Sequence, residues 1–460
     1  MTTVRRCAAA LAASAVLCVA VAPAAVAGGD MPPAAAPSRS ASSTPSPSPA
    51  APEATDPPEA TATPAPVVIP PGLYGESDPA YDGVWRQSLA LLGQFTGGVR
   101  PADQAVAWLK GQQCANGAFP AYRADPATPC DALTAVDSNS TAAAVQALST
   151  LGGQRVPMDR AIEWLRSVQN EDGGWGYVPG TPSDTNSTSL VAGALTVAGV
   201  RPSSMRSATG KNAYDALVGF AIPCGAGTPG AAATGKAAAS EDAGAFAYQP
   251  DRSGRLTANA DATAAAVLAG VGKRMVTGPV DAGPAPSCVT TKDLAPERAA
   301  RNAAAYLAAA LAKTGHLDQP PMPGAADSAP VPDPGNTADA IVALMATGYG
   351  NQATGALEWL KANSGAWAQE NGPAAYAQLI FAAHTSGTDP RNFGGIDLVQ
   401  RLNETGPAPK SVASPSASAV SASGAGSGSA VNVLWLAGIA LLVCVAAGFL
   451  ISGRRKPQHR

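Results

Sequence analysis

Asp184-Thr185-Asn186-Ser187-Thr188 is followed by Leu195 and Gly199, seven and eleven residues beyond the second threonine. The same frame recurs at Thr141, Leu148 and Gly152, and again at Thr337, Leu344 and Gly348; Asp82, Leu89 and Gly93 fit it too. Thr263 opens a weaker copy, and Tyr376 another that ends at Gly387. A leucine two turns into each copy marks a buried helical face. Glycine at the far end is the residue that most readily takes the left-handed C-terminal cap. Six helices of one kind are therefore predicted.

A second series interleaves with the first, and its copies place an alanine three residues before a Trp-Leu or equivalent pair. These are Ala105 to Trp108-Leu109, Ala161 to Trp164-Leu165, Ala303 to Tyr306-Leu307 and Ala356 to Trp359-Leu360. Ala213, Ala216 and Leu217 give a degenerate copy, and a final helix runs from about Ile396 to Leu402. Pro101, Pro157, Pro202 and Pro296 stand near the starts of these helices, where a missing N–H costs nothing. Six strictly alternating with six predicts an all-α fold, a closed (α/α)6 toroid with one series inside and the other packed around it. An open array would leave apolar faces exposed at both ends.

The flanks set the compartment. Arg5 and Arg6 lead an apolar run ending Ala25-Val26-Ala27, so residues 1–27 read as a signal peptide. Residues 28–70 form a Pro/Ala/Ser-rich tail that cannot bury enough apolar surface to order itself. The toroid domain spans 71–406, and 407–430 is a Ser/Ala/Gly tether. Residues 431–451 carry no charge and are long enough to span a bilayer, and 452–460 are basic. The expected arrangement is a cell-surface bacterial protein, single-pass, with its C-terminus cytoplasmic. Six of the 30 basic residues and none of the 33 acidic ones lie in 1–27 and 452–460, leaving the exported part at −9. Such a surface is a poor nucleic-acid binder. Four cysteines remain there, Cys114, Cys130, Cys224 and Cys288, in an oxidising compartment. Of three possible pairings, Cys114 with Cys130 closes one local loop, which leaves Cys224 with Cys288 by elimination. For these two to meet, the insertion at 273–295 must climb the barrel wall.

Four loops share a further pattern: Gln169-Asn170-Glu171-Asp172-Gly173-Gly174-Trp175, Gln113-Cys114-Ala115-Asn116-Gly117-Ala118-Phe119, Asp242-Ala243-Gly244-Ala245-Phe246 and Asn363-Ser364-Gly365-Ala366-Trp367. Glycine turns the chain, the aromatic covers the joint, and Gln or Asn satisfies exposed carbonyls. Over about 83–404 the chain resembles the squalene cyclase and prenyltransferase superfamily, whose Gln…Gly-x-aromatic repeat these loops match. The resemblance implies an alpha-alpha toroid. It does not imply one activity. No two aspartates are adjacent, so the Asp-x-Asp-Asp acid of the cyclases and an Asp-Asp-x-x-Asp diphosphate site are both absent. His316 and His384 are the only exported histidines, there is no Asp-x-Cys zinc motif, and no Gly-Cys-Gly-Glu-Gln thioester stretch. What remains is similar to the toroid domain of the cobalamin carriers, of the intrinsic factor and transcobalamin type, which bind rather than transform a ligand. Their inner helices open with steps like Asp137-Ser138-Asn139-Ser140-Thr141.

Four residues before each frame position stand Asp78, Asp137, Asp184, Asn259 and Asp333, and two before stand Asn139, Asn186 and Asp261. These residues suit helix capping, which also accounts for Asn139 and Asn186 without glycosylation. Parallel inner helices would gather six positive dipole ends at one mouth, holding such carboxylates ionised. Tyr122, Trp175, Tyr177, Phe246, Tyr248 and Trp367 sit near the same rim and could stack on a flat ligand. Trp175 is the most exposed expectation, because two glycines precede it. The sequence thus points to a monomeric, membrane-tethered binding module for a cobalamin-like, isoprenoid or glycan ligand, with no cofactor and no metal. Enzymes of the terpene-cyclase or glycan-cleaving type, and a partner-docking surface module, are the alternatives.

Overall fold

Twelve α-helices account for about half of the residues described in the computed structural model, which are 67–225, 241–319 and 329–410. They are α1 (Pro79–Thr96), α2 (Asp103–Gly111), α3 (Ser138–Thr150), α4 (Arg155–Ser167), α5 (Thr185–Val197), α6 (Ala213–Gly219), α7 (Ala260–Gly270), α8 (Pro296–Thr314), α9 (Pro334–Ala346), α10 (Gly350–Asn363), α11 (Gly365–Ser386) and α12 (Leu398–Glu404). The fold is all-α. Two two-residue antiparallel ladders, Phe119–Pro120 with Val136–Asp137 and Leu317–Asp318 with Pro332–Asp333, merely staple loops. The two helix series read from sequence are the odd and even helices in turn.

The two series differ in burial. In α5 every residue from Ser187 to Leu195 except Leu190 is buried, whereas α4 buries only Met158, Ala161, Ile162, Trp164 and Leu165 along one stripe. Alanine makes this possible, since Ala142, Ala143, Ala144 and Ala147 of α3 are all fully enclosed and add almost no girth. Each odd helix packs on two others: α1 on α3, α3 on α5, α5 on α7, α7 on α9, α9 on α11, and α11 on α1. The even helices lie against them, α2 on α1, α4 on α3, α6 on α5, α8 on α7, α10 on α9 and α12 on α11.

Glycine ends four odd helices as expected, Gly387 (φ 71°) capping α11. Gly152, Gly199 and Gly348 have φ of 64°, 78° and 80°, and the Leu195 and Leu344 carbonyls accept the closing bonds from Val200 and Tyr349 N–H (2.9 and 2.8 Å). Gly93 corrects the pattern. It lies inside α1, where a side chain would meet Ala377 and Leu402, so it serves the close approach of α1 to α11 and α12. A second correction concerns 363–367, which is helical on either side of a bend at Ser364 rather than a loop; the counterpart of the other odd helices begins after Gly372, whose φ of 70° kinks α11 ahead of Pro373.

The two ends of the domain are fastened together. Tyr74 is fully buried, its N–H donating to Gln87 Oε1 (2.9 Å) and its hydroxyl to Gln94 Oε1 and the Pro407 carbonyl (both 3.1 Å). Gly75 N–H donates to the Thr405 carbonyl (2.8 Å), and Gln94 Nε2 to Asn403 Oδ1 (2.7 Å). Ile69 already packs on the core, ahead of the boundary at 71 set by proline content.

Both disulfides form as paired from sequence, Cys114–Cys130 and Cys224–Cys288. The insertion takes a path that the sequence did not suggest. After α7, Met275 N–H donates to Gln146 Oε1 of α3 (3.2 Å), the Thr277 carbonyl accepts from Thr385 Oγ1 of α11 (2.9 Å), and Gly283 N–H donates to the Gly348 carbonyl beyond α9 (2.6 Å). It therefore crosses the C-terminal ends of odd helices before reaching Cys288. Among the described residues no helix is long and apolar enough to cross a membrane. The expected signal peptide, the tail up to residue 66, the tether beyond 410 and the span at 431–451 lie outside the described residues.

Candidate functional site

The site begins with helix caps. Asp78, Asp137, Asp184, Asn259 and Asp333 are the N-caps of α1, α3, α5, α7 and α9, each side chain accepting an N–H from its helix's first turn. Asp184 also accepts the Ser187 hydroxyl (2.8 Å). Asp137 and Asp184 are 4% and 1% exposed, so they are occupied by backbone rather than offered to a ligand. Asn139 and Asn186, by contrast, do not cap, which corrects their sequence assignment.

The threonine of the frame locks each loop to its helix. Thr141, Thr188, Thr263 and Thr337 accept through Oγ1 the N–H of Phe119, Trp175, Phe246 and Leu317 (2.9, 3.0, 2.9 and 2.9 Å). The loop glycine is pressed the other way: a Cβ on Gly173 (φ 92°) would stand 2.4 Å from the Asn212 carbonyl oxygen, and one on Gly117 (φ 96°) 2.2 Å from that of Arg160. Gly-x-aromatic thus fits between an odd helix and the next even one. Gln113 and Gln169 bond the loop carbonyls of Gly117 and Gly173 (3.0 and 2.8 Å) rather than free helix ends.

This geometry takes two aromatic candidates, Trp175 and Phe246, into the core and leaves Tyr122 and Trp367 half-buried. Trp175 is fully buried and donates Nε1–H to the Leu165 carbonyl (2.7 Å), because the fixed glycines remove the freedom they were expected to give. Phe246 is 2% exposed. Tyr122 stacks on Trp108 with centroids 6.4 Å apart, and Trp367 lies over Gly335 at the start of α9. Tyr177 and Tyr248 remain on the rim, 39% and 36% exposed. Their carbonyls accept Ser138 and Thr185 N–H (2.9 and 3.0 Å), which sets each ring beside the N-terminus of the preceding odd helix. Burial, aided by Asp137 for one and Asp184 for the other, pushes both phenols up to about 12, so they stay neutral.

The residues that face neither a cap nor the core form a polar group across α5, α7, α9 and α11. Asn186 Nδ2 donates to Asp261 Oδ2 (2.5 Å), and Gln378 Nε2 to Asp339 Oδ2 (3.1 Å). On α3 and α5 four buried oxygens have no partner: Ser138 Oγ, Asn139 Oδ1, Asn186 Oδ1 and Ser189 Oγ. The acids are not held ionised by the helix dipoles. Desolvation pushes Asp137 up to about 6, and desolvation reinforced by Asp261 and Asp333 pushes Asp339 up to about 7. Asp184, Asp261 and Asp333 are raised for the same first reason. A dipole end contributes only ~0.3–1 kcal/mol at an exposed site, less than burial of a carboxylate costs. Asp339, Gln378 and Ser189 were missed from sequence, because only the packing of α9 on α7 and α11 brings the first two to the group.

A shallow depression of about 480 Å³ lies elsewhere, between Ala80 and the 121–135 loop. Its one cation, Arg123, is bonded to the carbonyls of Gly111, Gln113 and Pro126 (3.0, 3.1 and 2.8 Å), leaving little to offer a ligand. Among the described residues no three His, Cys, Asp or Glu side chains gather closely enough to hold a metal ion. No known family model matches the chain, and comparison with curated proteins finds no matching relative.

Proposed function

We propose that the chain is a binding protein built on a closed double ring, the odd helices inside and the even helices outside, with a small molecule held at the odd helices' N-terminal mouth. The round of odd-helix neighbours from α1 back to α1, the one-sided burial of the even helices and the clasp between 74–75 and 403–407 all support the ring. The segment at 273–283, lying across the opposite ends, supports a cup with one entrance. The similarity to cobalamin-carrier toroids suggests the same use. Export and tethering by the 431–451 segment accord with two disulfides in the domain.

One observation carries the reading: the unmatched oxygens of Ser138, Asn139, Asn186 and Ser189 on neighbouring helices. A buried polar atom left unpaired costs ~1–3 kcal/mol, and a donor-bearing ligand would recover it. Native mass spectrometry of the exported chain, purified from its own host, tests this. The expected spectrum shows mass above the disulfide-bonded polypeptide that disappears in an Asn186→Leu, Ser189→Leu variant. The bare polypeptide mass in both would overturn the reading. A second reading, glycan cleavage, is favoured by Asp339, which at about 7 could donate a proton at neutral pH. Asp339→Asn would then abolish turnover while leaving binding intact.

A further inference from the structure

We propose that His316 is a pH-sensitive latch: on gaining a proton it fastens the Leu317–Asp318 strand, and through it the start of α9, against α10. Thr314-Gly315-His316-Leu317-Asp318 closes α8 and opens that strand. Gly315, with φ of 79°, ends the helix in the left-handed form. A Cβ on it would lie 4.0 Å from the Cβ of Trp359 on α10, so the chain leaves α8 alongside the indole. Side chains alternate along a strand. Leu317 goes into the core at 5% exposure, whereas the His316 ring lies 4.5 Å from the Trp359 ring, tilted by 38°, and Asp318 shares its side of the strand.

The surroundings of Nδ1 fix where the proton goes. It lies 3.2 Å from the Leu317 carbonyl and 3.3 Å from Asp318 Oδ1. A carbonyl and an ionised carboxylate only accept, so Nδ1 already carries a hydrogen and the next proton adds at Nε2. That step sets a positive charge beside a carboxylate oxygen that is shielded from water and makes no hydrogen bond. Among the described residues His316 is the one side chain within ion-pair distance of Asp318. The indole favours the charged ring as well. Other charges on the packed elements are engaged elsewhere: Lys313 of α8 with Glu241 (3.1 Å), Glu358 and Lys361 of α10 with each other (2.9 Å), and Asp333 with the first turn of α9. Histidine changes charge between about pH 5 and 8, so the latch is tight at the acid end and slack at the other. It holds the joint at the start of α9, where Leu317 N–H donates to Thr337 Oγ1 and Gln319 N–H to the Val331 carbonyl (2.9 and 2.8 Å).

The test compares the full exported chain, both disulfides intact, at about pH 8 and pH 5 with His316→Asn, which keeps a donor near Nδ1 and never becomes charged, and with Trp359→Phe. Asp137 and Asp339, raised to about 6 and 7, titrate over the same interval and are kept in every variant, so the difference from the parent chain is what counts. An imidazolium quenches indole emission. Acidification is therefore expected to dim the parent by a component absent from both variants. Amide exchange at Leu317 and Gln319, corrected for its intrinsic pH dependence, should slow on acidification by roughly threefold more in the parent than in His316→Asn. Asp318→Asn, which leaves both rings in place, should lose that extra slowing. The same emission change in parent and His316→Asn would overturn the proposal. So would equal exchange in those two, or slowing that survives in Asp318→Asn.

Discussion

Asp339 sits where function and stability pull apart. Its carboxyl is raised from an ordinary 3.8 to about 7, so between those values the folded state holds a proton that the unfolded state has released. Stability from this group is full below the unfolded value and falls as pH rises through the folded one. Asn keeps an oxygen for Gln378 Nε2 and never ionises. Asp339→Asn should therefore match the parent chain at pH 4 and exceed it at pH 8 by on the order of 1–3 kcal/mol. Urea unfolding at the two pH values measures this, and a difference independent of pH would show that the carboxyl does not titrate as argued. Nothing near Asp339 in sequence announced this behaviour. The cap aspartates were legible because their partners lie within three residues, as in Asp137 with Ser140. Asp339 takes its environment from Asp261 and Gln378, on other helices.

At the scale of elements, the joint between loop and odd helix is the unit that repeats. Thr188 Oγ1 accepts Trp175 N–H, and that loop also seats Gly173 against Asn212 and the indole beneath Leu165. Thr188→Val keeps the shape and strands a buried N–H, at a cost of about 1–3 kcal/mol, while Thr188→Ser retains the acceptor and should lose less. Denaturation of both variants checks the joint, and a larger loss for Thr188→Ser than for Thr188→Val would place the contribution in the methyl group. Both halves of this joint were visible in sequence as periodic residues. Their hydrogen bond was not, because spacing alone does not say which helix a loop meets. The same limit hid the route of 273–283, whose contact at Gln146 lies 129 residues away along the chain. Alternating helices, by contrast, were legible because amphipathic burial is written at local spacings of three and four residues.

For the whole molecule, a single mouth requires that the first and last helices meet, so that the odd helices close on themselves. Gly97, at the C-terminal cap of α1, has ordinary φ of −77°, and a Cβ built there would lie 2.7 and 3.1 Å from the two γ carbons of Val399 on α12. A cysteine sulfur at 399 would replace one of those carbons, which suits a bridge to a cysteine at 97. Mild oxidation of the Gly97→Cys, Val399→Cys chain, followed by non-reducing peptide mapping, measures closure directly. Closure of the ring gives an intramolecular 97–399 bridge beside intact Cys114–Cys130 and Cys224–Cys288. Free thiols at 97 and 399 under conditions that oxidise a solvent-exposed cysteine pair, or bridges only between separate molecules, would contradict it and leave an open array with no mouth to bind a ligand.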